Sequence, residues 1–131
     1  MRVPAAKKRI LIIDDEAIHR TGLRNRLEAA GYEVYSAEGG LEAIELLQKM
    51  PFSLITLDLL MPQPDGFEVF RYLKALPVID SIPILILTVA GLEPQVQTLV
   101  DQGAYHLRKQ DAPQKIVSEI RRLVGESPGR Y

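Results

Sequence analysis

The chain has 131 residues, 47% of them hydrophobic and 25% charged, which suits one globular domain with a single core. Sixteen basic against seventeen acidic residues leave a net charge of −1, without the basic excess that direct nucleic-acid binding needs. The absence of cysteine excludes disulfides, thiolate catalysis and Cys-ligated zinc; two isolated histidines, His19 and His106, cannot make a His-rich metal site; and no apolar run approaches the roughly 20 residues of a membrane helix.

The start, Met1 to Arg9, is basic, but the apolar run after it is interrupted by Asp14, so it is not a secretory signal and the cytoplasm is the expected location. Ile10-Leu11-Ile12-Ile13 predicts the first strand. Leu23, Leu27 and Ala30 then mark one helical face, closed by Gly31. Tyr32 to Ala37 alternates and predicts a more exposed strand. Leu41, Ile44 and Leu47 mark a second helix, stopped by Pro51. Ser53 to Leu57 predicts the third strand, and Phe67, Phe70 and Leu73 a third helix that opens at Asp65-Gly66 and ends before Pro77. Ile84 to Leu87 predicts the fourth strand, and Pro94 to Gln102 a fourth helix closed by Gly103. The weaker run Tyr105-His106-Leu107 predicts a fifth strand. The fifth helix follows with Asp111 as N-cap, Pro113 in its first turn and Ile116, Ile120 and Leu123 on its face.

Strands one, three and four are continuous rather than alternating, as strands are when both faces are covered. Strand and helix alternate five times, which predicts an α/β, doubly wound five-stranded parallel sheet with five helices on its two sides. The domain is expected to span residues 9–124, with residues 1–8 and 125–131 as flexible ends.

The polar residues fall at strand ends. Asp14, Asp15 and Glu16 follow the first strand, Asp58 the third, Thr88 the fourth and Lys109 the fifth. In an open parallel sheet, ligands bind at the carboxyl ends of the strands, so these residues converge on one edge. Each has an ordinary structural reading alone: a helix N-cap for Asp14 or Asp15, a turn cap for Asp58, a strand or cap residue for Thr88, a solvated lysine for Lys109. The ordered set is hard to produce by chance. Clustered carboxylates suit a hard cation such as Mg²⁺, a lysine holds phosphate as a point charge, and an aspartate can form an aspartyl phosphate.

The segment Leu57-Asp58-Leu59-Leu60-Met61-Pro62-Gln63-Pro64-Asp65-Gly66-Phe67, with Ile12-Ile13-Asp14-Asp15-Glu16, Thr88 and Lys109, resembles the receiver domain of two-component response regulators, from about Arg9 to Val124. The resemblance implies a flavodoxin-like sheet of strand order 2-1-3-4-5. It implies Asp58 as phosphoacceptor, Asp15 as a direct Mg²⁺ ligand, Asp14 as a direct or water-mediated one and the Leu60 carbonyl as a third. Lys109 and Thr88 would contact the phosphoryl group. The donor would be the phosphohistidine of a sensor histidine kinase or phosphotransfer protein, with output to a downstream protein through the face of the fourth helix, fifth strand and fifth helix; that face is also a candidate for homodimerisation. Such a protein catalyses only its own phosphorylation and dephosphorylation, and neither nucleic acid nor membrane is an expected partner.

Four departures concern access and readout. Val89 stands where the family has Ala or Gly and is expected to narrow the phosphoryl entrance. Gln110 follows Lys109 in place of Pro, which implies a reshaped loop or a strained cis bond. The stretch from Gly103 to Lys109 is one residue short, leaving the switch role to His106 or to Tyr105 through a bulge. Leu60 and Ala90 flank the site without polar side chains, so slow self-dephosphorylation is expected. A module that keeps the fold without using phosphorylation is the alternative. A dehalogenase-like phosphatase needs a second Asp where Leu60 stands, and the P-loop and dinucleotide-binding glycine motifs are absent.

Overall fold

A computed structural model describes residues 7–62, 64–89 and 91–125. Its strands are β1 (Arg9–Ile13), β2 (Glu33–Ala37), β3 (Leu54–Leu57), β4 (Ile84–Thr88) and β5 (Tyr105–Arg108). Its α-helices are α1 (Ala17–Ala29), α2 (Gly40–Lys49), α3 (Gly66–Lys74), α4 (Glu93–Val100) and α5 (Pro113–Leu123), with one 3₁₀ turn at Pro77–Ser81. The strands form one sheet in the order β2-β1-β3-β4-β5, every pair parallel.

The apolar runs explain the sheet's position. Ile10 to Ile13 of β1 and Leu54 to Leu57 of β3 are buried throughout, because helices cover both faces. Alternate residues feed two layers. Leu11, Ile13, Ile55, Leu57, Ile84 and Ile86 pack with the buried faces of α2, α3 and α4. Ile10, Ile12, Leu54, Leu85 and Leu87 pack with Leu23 and Leu27 of α1 and Ile116 and Ile120 of α5. Burying one such side chain contributes about 1.5–3 kcal/mol, so the two layers hold the sheet, and with it the strand ends, in place.

Two helix starts differ from the sequence expectation. The fifth helix is capped at Ala112, not Asp111, and no side chain caps it. Asp111 instead turns back to accept the Arg108 amide at 2.9 Å, so its carboxylate closes the turn after β5 rather than starting the helix. The fourth helix begins at Glu93, with Pro94 in its first turn, where a missing amide proton is harmless. It ends at Val100, and Gly103 closes it with φ +102°, a left-handed backbone that glycine adopts without strain. Asp65 caps α3 by accepting the Glu68 amide at 3.0 Å.

Candidate functional site

Asp14, Asp58, Thr88 and Lys109 meet at the carboxyl edge of the sheet because β1, β3, β4 and β5 are adjacent and end together. Backbone bonds fix the strand ends: the Asp14 amide donates to the Ala37 carbonyl, Asp58 to Ile13 and Lys109 to Thr88. Asp14 and Asp58 are 2% and 3% exposed, which is rare for carboxylates without a cation or partner.

Lys109 is that cation. Its Nζ lies 2.6 Å from Glu16 Oε1, 3.1 Å from Asp14 Oδ2 and 3.2 Å from Asp58 Oδ2. Burial pulls the lysine's pKa down, but hydrogen bonds to Glu16 and Asp14 and the charges of Asp14 and Asp58 outweigh it and hold it above its ordinary value. Burial, and then the Asp14 charge, push Asp58 up to about 6, against the opposing pull of Lys109 and the Leu60 amide. Asp14 moves the other way. Burial raises it, but the His19 hydrogen bond, the Glu16 amide and Lys109 together hold it below the usual carboxylate range.

The backbone shapes the loop after Asp58. Leu60 N donates to Asp58 Oδ1 at 3.2 Å, and Gly66 N to the Leu59 carbonyl at 3.0 Å. A Cβ on Gly66 would stand 2.3 Å from the Asp58 carbonyl oxygen and 2.4 Å from Leu59 Cα, so no other residue lets α3 start so close to the Asp58 backbone.

One placement differs from the family-based expectation. Among the described residues, the carboxylates whose oxygens lie within 4.8 Å of one another are Asp14, Glu16 and Asp58. Asp15 is exposed and outside this set. Asp14 is held inward by the Glu16 amide on Oδ1 and by His19 and Lys109 on Oδ2. Glu16 belongs to the site through Lys109, and the only sequence signal for it was its place in the Asp-Asp-Glu run.

Tyr105 and His106 are separated by sheet face. His106 lies opposite Ile86 and Tyr105 opposite Leu85 in a regular β5 without a bulge. Parallel partners share a face, so His106 lies on the Thr88 side and Tyr105 on the α5 side, its ring 5.9 Å from the Arg122 guanidinium. Thr88 Oγ1 and His106 Nε2 are buried and have no hydrogen-bond partner among the described residues. Burial, and then the Arg108 charge, pull the His106 pKa below its ordinary value, opposed by Glu93 and Asp111. Val89 is 42% exposed beside the site, and Leu60 is exposed as well. Ala90 lies outside the described residues. After Lys109 the chain closes a turn, Asp111 N donating to the Arg108 carbonyl at 3.0 Å.

A five-stranded parallel sheet of order 2-1-3-4-5, with a buried aspartate pair and a lysine at its carboxyl edge, defines a chemotaxis-regulator-like, flavodoxin-type fold. The sequence profile described as response regulator receiver domain matches residues 10–121, and the chain belongs to that family. Response regulator MprA of Mycobacterium leprae (strain TN) is 36% identical over 117 residues, 88% of this chain and 50% of that protein. The probable transcriptional regulator ycf27 of Cyanophora paradoxa is 36% identical over 119 residues, 90% of this chain and 48% of that one. The chain thus spans about half the length of the curated relatives it matches. Among solved structures, chemotaxis protein CheY4 of Vibrio cholerae superposes with TM-score 0.83 at 31% identity, covering 90% of this chain and 99% of that one. A putative response regulator from Chloroflexus aurantiacus superposes with TM-score 0.84 at 29% identity, covering 92% and 100%. No helix among the described residues is long and apolar enough to cross a membrane.

Proposed function

We propose that this receiver domain accepts a phosphoryl group on Asp58, from the phosphohistidine of a histidine kinase or phosphotransfer protein. The observation that carries the reading is the Asp58 carboxylate, buried yet 3.2 Å from the Lys109 ammonium and grouped with Asp14 and Glu16.

The donor set suits Mg²⁺: three carboxylates and one ammonium leave two formal negative charges, and all the ligand atoms are hard oxygens. Asp14, Glu16 and Asp58 would hold the ion, with Asp15 one residue away in solvent and the Leu60 carbonyl following the acceptor. When bound, Mg²⁺ supplies charge neutralisation for the phosphoryl oxygens. An Asp58 carboxylate oxygen attacks phosphorus, the phosphorus–nitrogen bond breaks, and the imidazole leaves with the electron pair and takes up a proton. Lys109 stays charged throughout and holds a phosphoryl oxygen as a point charge. The Thr88 hydroxyl, without a partner among the described residues, has a donor to offer the new dianion. Moving it towards Asp58 opens room on the His106 side and carries the change to the face of α4, β5 and α5.

The test is intact-mass spectrometry after incubation with Mg²⁺ and acetyl phosphate or phosphoramidate. One phosphoryl adduct on the wild type, absent with chelator and absent in Asp58→Ala, is the expected result. No adduct on either Val89→Ala or the wild type, with Mg²⁺ binding intact, would overturn the phosphoacceptor reading.

A further inference from the structure

His19 has no part in the phosphoacceptor reading, yet it makes the closest contact to a buried acid of the site. Its Nδ1 lies 2.5 Å from Asp14 Oδ2. The same oxygen accepts the Lys109 ammonium at 3.1 Å, so it serves as an acceptor here and the hydrogen of this contact is assigned to His19 Nδ1. The other atoms of Asp14 are also held: Oδ1 accepts the Glu16 amide at 2.9 Å, and the backbone carbonyl accepts Arg20 Nη1 at 2.7 Å.

Oδ2 therefore has two partners of different kinds. Lys109, 3.1 Å away, sits on a flexible four-carbon stem and has Glu16 and Asp58 as other acceptors. It can leave Oδ2 for a cation. His19 has a short side chain on the first turns of α1, is only 23% exposed, and shares a groove between α1 and α5 with Lys109. With two side-chain torsions against the lysine's four, it has far less freedom to move off Oδ2. Oδ2 is thus held from one side by His19, and it lies within 4.8 Å of carboxylate oxygens of Glu16 and Asp58.

We propose that His19 is a positioning residue for the divalent cation: its Nδ1–H holds the Asp14 carboxylate in a one-oxygen orientation towards the cluster formed with Glu16 and Asp58. The proposal rests on the metal-site reading above. Hydrogen-bond partners that orient metal ligands typically contribute 10–100-fold in affinity.

The experiment is isothermal titration of Mg²⁺ into the full chain at one fixed pH, comparing wild type with His19→Leu, His19→Asn and His19→Gln. Asn places an amide nitrogen where Nδ1 stands, whereas Gln places it one carbon further out. Mg²⁺ affinity is expected to fall about tenfold in the Leu and Gln variants and to stay within about threefold of wild type in Asn. The Asn–Gln contrast separates positioning from general packing, since the two differ by one methylene, and it stands even if the Leu variant does not fold. Equal affinities for the Asn and Gln variants, or all variants within twofold of wild type, would overturn the role of His19 while leaving the metal site intact. A wild type that binds no Mg²⁺ would instead overturn the metal-site reading, and this proposal with it.

Discussion

The two halves of the sheet edge are built on opposite terms. At the ends of β1 and β3, each oxygen of Asp14 and Asp58 has a hydrogen-bond or ion-pair partner: the Glu16 amide, His19 and Lys109 on one, the Leu60 amide and Lys109 on the other. At the ends of β4 and β5, Thr88 Oγ1 and His106 Nε2 are buried without a partner among the described residues. A satisfied buried network is rigid, whereas an unsatisfied buried hydroxyl stores roughly 1–3 kcal/mol that a new partner can release. The Asp14 and Asp58 half is thus fixed by its own contacts, and the Thr88 and His106 half is left with unmet hydrogen-bonding capacity among the described residues, which under the proposed function the phosphoryl group would meet at Thr88. Lys109 joins the two, its backbone in the turn after β5 and its ammonium among the carboxylates of β1 and β3.

The largest expected effect comes from removing that link. Lys109→Met leaves three carboxylates without their cation, and breaking a buried charge cluster in this way costs about 3 kcal/mol. Urea unfolding without Mg²⁺ should show the loss, and saturating Mg²⁺ should restore most of it. A loss that Mg²⁺ does not repair would mean that the lysine acts by packing and not by charge.

The second effect is smaller and depends on pH. The Asp58 pKa is raised from 3.8 to about 6 in the folded chain, first by burial and then by the Asp14 charge. Between these values the folded state binds more protons than the unfolded one. The stability contributed by this group is therefore fully present below about 4 and lost as pH rises through about 6. Without Mg²⁺, wild type should lose about 1–3 kcal/mol relative to Asp58→Asn across that window. A wild-type and variant difference that stays constant with pH would show that Asp58 is not destabilised when ionised.

The third effect, a gain, distinguishes the Thr88 and His106 half. Thr88→Val removes a buried hydroxyl that has no partner among the described residues, so thermal or urea unfolding should show a gain of about 1–3 kcal/mol. Unchanged or reduced stability would mean that the hydroxyl is satisfied in solution and that the contrast between the halves is not real.

The architecture was legible because it follows from local chemistry. The buried strands β1, β3 and β4 are unbroken aliphatic runs, and each helix carries its apolar face and its Gly, Pro or Asp boundary. Asp58 could be singled out because it directly follows such a run and precedes the Asp65-Gly66 helix start. The Asp111 cap was misplaced by one residue, since its side chain has two uses and only the closed turn with Arg108 shows which is taken.

Sequence alone thus determined the fold class, the strand ends as the place of chemistry, and the residue types assembled there. Only the tertiary structure decided that Asp14 and Glu16 cluster with Asp58, which of Tyr105 and His106 shares a face with Thr88, and that His19 touches Asp14 and Gly66 the Asp58 backbone. The reason is geometric. Adjacent residues in or just after a strand point to opposite sides, and a chain segment does not state which side is inward until its neighbours are paired. Asp14 is chosen by the Glu16 amide, His19 and Lys109. His106 is chosen by its pairing opposite Ile86, and Gly66 by the approach of α3 to the Asp58 backbone. All of these are contacts made across space or around a turn, and none is carried by the spacing of the residues themselves.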